Sequence, residues 1–185
     1  MEAPAITRHR RPFLAPVWLL AAFALAAAGF ALAAYRAAAA TTVVIARHAE
    51  KALGTIDDPP LSPQGEQRAQ RLAQMFGEPG GIGRLDAVYV TDTRRTQQTA
   101  APLAARLNMT PVVLPANDVA GLAARILREH RGRAVLVLGH SNTVPRLIRE
   151  LSGIEVPEIP NDEYDNLYVV SVPTFGSASV LRIKY

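Results

Sequence analysis

The chain has 185 residues, 49% of them apolar and 19% charged, a composition that buries a core and excludes a disordered polypeptide. Cysteine is absent, which excludes disulfides, cysteine-ligated zinc, iron–sulfur clusters and thiol catalysis. The formal charge of +4 suggests a nucleic-acid partner only until it is located along the chain.

Residues 1–40 hold Arg8, Arg10, Arg11 and Arg36 against Glu2, a net of +3. Residues 41–185 hold the other 16 basic and 15 acidic side chains, a net of +1. Residues 16–35 then run for twenty positions without a charge. About 20 apolar helical residues cross the roughly 30 Å hydrocarbon core of a bilayer. The arginines precede the run, and Trp18 and Tyr35 stand near its ends. Positive-inside bias places the N-terminus in the cytoplasm and the rest outside. The run predicts either an uncleaved anchor or a secretion signal cut at the alanines of residues 37–40. Both put residues 41–185 outside the cytoplasm, so the basic tail reads as topology and no nucleic acid is expected.

Residues 41–185 alternate strand and helix patterns. Residues 42–46 (TVVIA) are a β-branched run, as expected of a strand covered on both faces. Asp57-Asp58-Pro59-Pro60 is a loop, and Ser62-Pro63 opens a helix to about Phe76, with Ser62 as N-cap and Pro63 in the first turn. A Gly/Pro-rich loop follows through Gly83. Residues 86–91 form a strand, 93–107 a helix, and 111–114 a short strand. Asn117 or Asp118 caps a helix to about His130. Residues 134–138 (AVLVL) are a buried strand, and 142–151 a helix. Strands at 167–172 and 179–185 close the chain around a Gly-containing turn, which suggests a hairpin. Six strands and four helices in alternation predict an α/β fold, a three-layer α/β/α sandwich on a mostly parallel sheet.

Such sheets bind ligands beyond the C-terminal ends of their strands. Arg47-His48 follows the first strand there, Thr91 to Thr96 the second and Gly139-His140-Ser141-Asn142 the fourth. Arg47 and His48 face one ligand only where the chain leaves the strand, at about Ala46. The residue types suit phosphate. Arginine presents a planar fork of donors that matches its oxygens. A neutral imidazole is a nucleophile that attacks phosphorus, and neighbouring guanidinium charge keeps His48 neutral. His140 supplies a donor for a phosphoryl oxygen, and helix N-termini near Thr93 and Asn142 add backbone N–H groups.

Four segments, residues 44–50 (VIARHAE), 61–69 (LSPQGEQRA), 91–100 (TDTRRTQQTA) and 139–143 (GHSNT), together resemble the histidine phosphatase superfamily, with its phosphoglycerate-mutase-like fold. Nearly all of residues 42–185 follow the family's order. The resemblance implies that His48 is the phosphorylated nucleophile, that Arg47 and Arg95 bind phosphate, and that His140 is the second histidine of the phosphate pocket. Arg94 is assigned to the surface, and Glu50 with Lys51 to a solvated pair beside the site. Thr91, Thr93 and Thr96 depart from the family's serine, leucine and alanine.

A general acid protonates the leaving alcohol and then helps water attack the phosphohistidine. One branch of the family carries it directly after the second histidine, where this chain has Ser141. The other, which includes short types with little cap, carries it between the second arginine and the second histidine. Only Asp118 and Glu129 are acidic there, and Asp118, at the start of its helix, is the candidate. Its other reading is a plain helix cap, and some short members resemble phosphohistidine phosphatases that manage without a clear acid. Asn142 either lines the pocket or caps its helix. No metal and no cofactor are expected: no H-x-x-x-H spacing exists, and two arginines repel a dication. The expected activity is hydrolysis of a small-molecule or envelope phosphate ester by a domain held at the membrane. A mutase, a phosphohistidine-protein phosphatase and a non-catalytic phospho-ligand-binding module are the alternatives.

Overall fold

The structure, a computed structural model, describes residues 17–38, 40–54, 57–77 and 84–185. The arginines at 8–11, Ala39 in the expected cleavage run and the Gly/Pro-rich loop of residues 78–83 lie outside the described residues. The chain divides into two compact units, Met1–Arg36 and Ala37–Tyr185.

The first unit contains most of helix α1 (Val17–Ala38). Over Val17–Tyr35 its mean hydropathy is 2.2, and its side chains there are exposed. Nineteen residues at about 1.5 Å each come close to the thickness of a bilayer core. A membrane anchor and a secretion signal both meet that description.

The second unit is built on six strands in the order β3 (Val112–Leu114), β2 (Ala87–Thr91), β4 (Ala134–Gly139), β1 (Thr41–Arg47), β5 (Asn166–Val172) and β6 (Ser179–Lys184). The first four run parallel, while β5 lies antiparallel to both β1 and β6. The sheet is therefore mixed, with its parallel part at the centre and on one edge. Strand alternation sends consecutive residues to opposite faces. Val43 and Ile45 pack with Val119, Ala123 and Ile126 of α4 (Val119–Glu129) and with Leu147 and Ile148 of α5 (Thr143–Ser152). Val44 and Ala46 pack on the other face with Leu72 and Phe76 of α2 (Pro63–Gly77) and with Leu103 of α3 (Arg94–Leu107). Two cores back to back on one sheet make three layers. Each fully buried leucine or isoleucine, such as Leu136, Leu138 or Ile45, contributes about 1.5–3 kcal/mol of transfer free energy.

Local chemistry sets the joints. Ser62 Oγ accepts from the backbone N–H of Gly65 at 3.1 Å and caps α2. Gly65 sits so close to the Glu50 carbonyl that a Cβ there would collide with it. That contact presses the start of α2 onto the exit of β1. From α3, Thr99 Oγ1 accepts from the Ala49 N–H at 3.0 Å, and Gln98 Oε1 accepts from the Leu61 N–H at 2.8 Å. The segment after β1 is thus held from two helices.

Candidate active site

Strands β1 and β4 are parallel neighbours in the middle of the sheet, with Arg47 opposite Gly139. Their C-terminal exits lie side by side, so His48 and His140 meet although 92 positions separate them. The His48 N–H donates to the Gly139 carbonyl at 2.9 Å, and the two imidazole centroids are 5.3 Å apart. Strand β2, on the other side of β4, delivers Thr91 and then Arg95 from the first turn of α3. The chain leaves the sheet after Arg47, one residue later than the expected bend at Ala46. Both side chains still line one cavity of about 700 Å³.

The protonation pattern of His48 follows from its partners. Its Nδ1 lies 2.7 Å from the Ala49 carbonyl, which can only accept, so Nδ1 carries the proton. Its Nε2 receives the Nε–H of Arg95 at 3.2 Å and therefore presents a lone pair. Burial pushes the His48 pKa from 6.5 down to about 3; the charges of His140, Arg47 and Arg95 act in the same direction, and the bond to Ala49 opposes them. Neighbouring guanidinium charge, expected from the sequence as the cause, is secondary to burial. The pKa of His140 is lowered to about 4, again chiefly by burial, then by Arg95. Its Nδ1 faces Arg95 Nη2 at 3.5 Å, and its Nε2–H donates to Thr91 Oγ1 at 3.0 Å. Thr91 Oγ1 also touches Thr96 Oγ1 at 2.8 Å and Thr93 Oγ1 at 3.1 Å. The three threonines that depart from the family pattern are therefore one hydrogen-bonded cluster supporting the second histidine. Thr143 Oγ1 fixes the same residue by accepting from the His140 N–H at 2.9 Å.

Arg47 is 5% exposed. Its Nη1 donates to the carbonyls of Pro160, Asn161 and Glu163 at 2.8–3.1 Å, and its guanidinium lies 4.1 Å from the Tyr164 ring centroid. Its buried Nε has no partner among the described residues. Arg95 Nη1 pairs with Asp58 at 3.3 Å, and the Asp58 carboxylate also accepts from the Arg94 N–H at 2.9 Å. Asp58 thus occupies the start of α3, where a free backbone donor was expected for the ligand. Arg94 is exposed and lies outside the cavity wall.

Asp118 stands apart from this group. Its carboxylate accepts from the Gly121 N–H at 3.0 Å and caps α4. It lines a separate apolar hollow of about 30 Å³, room for little more than a water. Its neighbours Ala116 and Asn117 line the His48 cavity, and Asp118 does not. Asn142 lines that cavity and makes no side-chain cap on α5. Glu50 departs from the expected solvated pair with Lys51. Arg68 grips its carboxylate at 2.6–3.0 Å, both side chains are 12% exposed, and Lys51 is left on the cavity wall. Asp58, Tyr164, Thr143 and the carbonyls of residues 160–163 escaped the sequence reading. The Asp-Pro-Pro step and the lone tyrosine in the polar run of residues 161–166 were their available signals.

Among the described residues no group of three or more His, Cys, Asp or Glu side chains is placed to hold a metal ion. Residues 43–118 match the sequence profile of the histidine phosphatase superfamily (branch 1), just over half of residues 41–185. No curated protein matches the chain. Among solved structures, the protein histidine phosphatase SixA complexed with tungstate superposes with a TM-score of 0.64 at 25% identity, covering 77% of this chain and 96% of that one. A mycobacterial glucosyl-3-phosphoglycerate phosphatase superposes at 0.59 with 14% identity, covering 79% and 98%. A phosphoserine phosphatase from Entamoeba histolytica superposes at 0.58 with 14% identity, covering 76% and 94%. The last two speak for the fold alone. In profile match, in fold and in the meeting of the Arg47-His48, Arg95 and His140 segments in one cavity, residues 41–185 are similar to the histidine phosphatase superfamily.

Proposed function

We propose that this domain hydrolyses phosphate monoesters through a phosphohistidine on His48, outside the cytoplasm, with the N-terminal segment as its anchor or export signal. The observation that carries the reading is the His48 tautomer: the Nδ1–H bond to Ala49 makes Nε2 the lone-pair nitrogen, which accepts from Arg95 on the cavity wall and is freed for phosphorus when that guanidinium turns to the phosphoryl oxygens. In the first step Nε2 attacks phosphorus, the P–O bond to the leaving group breaks, and the departing oxygen takes a proton from solvent water. In the second step water attacks phosphorus, the P–N bond breaks, and inorganic phosphate leaves with His48 neutral again. Arg95 and Arg47 stabilise the equatorial oxygens through their guanidinium charge, and His140 joins them by turning its Nε2–H from Thr91 to a phosphoryl oxygen. Catalysis is then mostly positioning and charge stabilisation in a partly dry site.

The cap geometry supports a structural role for Asp118 and leaves the leaving-group proton without a dedicated carboxylate from that position. Phosphohistidine-protein phosphatase activity is the second reading. It is favoured by the likeness to SixA and by the same separation of Asp118 from the cavity.

Hydrolysis of an aryl phosphate by the purified protein, inhibition by tungstate, and an acid-labile phosphoenzyme that disappears in His48→Ala are expected. Absence of turnover across a broad panel of phosphate esters and phosphohistidine peptides would sink the proposal in favour of a phospho-ligand-binding module. Compartment-sensitive reporters fused after Tyr185 should report an extracytoplasmic domain. A cytoplasmic signal would overturn that part.

A further inference from the structure

The cavity over His48 is larger than a phosphoryl group requires. Its volume of about 700 Å³ falls in the range of pockets that enclose a whole small-molecule ligand, roughly 300–1,000 Å³. Arg95 bonds to both His48 and His140, and Arg47 lines the same cavity. The remaining wall carries two more cations, Lys51 and Arg146. Lys51 is held in place by its backbone, which forms an antiparallel bridge with Leu61. Arg146 lies three residues after Thr143 on α5, so helical spacing puts both on one face, and both line the cavity. Among the described residues no carboxylate pairs with Lys51 or Arg146, whereas Arg68 and Arg95 each have one. Asp57 is the one carboxylate among the described lining residues, set against four cations. With Asp58 on Arg95 and a phosphate on Arg47 and Arg95, Lys51 and Arg146 remain as lining cations with no paired carboxylate among the described residues. Asn117, Asn142 and Asn161 supply amides that both donate and accept.

Resting on the phosphatase reading above, we infer that Lys51 and Arg146 form a second anion subsite, and that the substrate is a phosphate ester bearing another anionic group, carboxylate or phosphate, on a hydroxylated body. The reacting phosphate sits on Arg47, Arg95 and His140. The second anion reaches Lys51 and Arg146, and the three asparagines take the hydroxyl groups between.

The test uses the full chain in detergent and matched ester pairs. Glycerol 3-phosphate against 3-phosphoglycerate probes a carboxylate, and fructose 6-phosphate against fructose 1,6-bisphosphate probes a second phosphate. A preference of about tenfold or more in kcat/KM for at least one doubly anionic partner, expressed mainly in KM, is expected from charge-assisted hydrogen bonds. The preference should shrink severalfold in Arg146→Gln and in Lys51→Gln. Equal kcat/KM within both pairs, or a preference untouched by both substitutions, overturns the subsite while leaving the phosphatase reading intact. If no ester turns over, the phosphatase reading fails, and the subsite is read by binding alone. Pyrophosphate should then raise the melting temperature more than phosphate at equal concentration, and an equal or smaller rise overturns it.

Discussion

Keeping His48 neutral has a stability consequence that can be measured without any substrate. Its pKa is about 3 in the folded domain against 6.5 as an ordinary histidine. Between those values the unfolded chain binds a proton that the folded one refuses, so stability falls as pH drops below 6.5 and the effect saturates near 3. Each unit of pH in that window is worth about 1.36 kcal/mol. At pH 5, about 1.5 units below 6.5, the loss attributable to His48 is about 2 kcal/mol, since the side chain is nearly fully buried. The perturbation is His48→Gln, which keeps an amide in place of the ring and cannot titrate. Urea unfolding of residues 41–185 followed by circular dichroism, at pH 7 and pH 5, reads the difference. With a slope of about 1–3 kcal/mol per molar urea, the wild-type midpoint should fall by about 1 M more than that of the variant. Glu50 does not interfere: its pKa is lowered from 4.5 by Arg68, so its contribution is lost only at lower pH. His130 and His140, also lowered, act equally in both proteins. Equal losses in wild type and His48→Gln would refute the burial argument.

Asp58→Asn removes the charge that holds Arg95 but keeps an acceptor for the Arg94 N–H. The aryl-phosphate KM should rise about tenfold, while the melting temperature moves little because the pair is partly exposed; an unchanged KM would deny Asp58 its positioning role. Gly65→Ala drives a Cβ into the Glu50 carbonyl, with backbone on both sides unable to yield cheaply. A loss of about 1–3 kcal/mol or more in thermal unfolding is expected, and a neutral result would contradict the close approach. Asp118→Ala should cost about 1 kcal/mol as a lost cap, and Asp118→Asn little. In Asp118→Asn, alkyl and aryl phosphates should keep their ratio of rates. Selective slowing of alkyl esters would return the proton-donor role to Asp118.

The fold was legible because each segment carries a periodic pattern of its own. The runs at 42–46 and 134–138 are continuous and β-branched or leucine-rich, as two-sided burial demands, and they became the central strands β1 and β4. The antiparallel seat of β5 against β1 was not legible, since strand pattern carries no direction. At the site, Arg47, His48, Arg95 and His140 follow strand ends or open a helix, where sequence position and spatial position coincide. Asp118 also opens a helix, but pattern alone does not say which way a capping carboxylate turns. The partners that tune the site come from distant loops. Asp58 reaches Arg95 across 37 positions and Tyr164 lies under Arg47 from 117 positions away, contacts that only the assembled fold brings together.

The charge that first suggested a nucleic-acid partner is best explained by its distribution. Within residues 41–185 the net charge is +1, yet the His48 cavity alone is lined by Arg47, Lys51, Arg95 and Arg146 against Asp57, a local net of +3. The rest of the domain must then be net negative by about two charges. Such a surface has little long-range pull on a polyanion, because opposite fields cancel beyond a Debye length of roughly 10 Å at 0.1 M salt. Inside the cavity the cations act across shorter distances and less water, where their attraction for a small anion is strongest. The same desolvation that depresses the His48 pKa would strengthen the hold of Arg47 and Arg95 on the phosphoryl group of the proposed reaction. The neutral His48 imidazole and the cations beside it thus have one physical origin: the side-by-side exits of parallel β1 and β4 at the centre of the sheet, bounded by the loop that Arg47 holds.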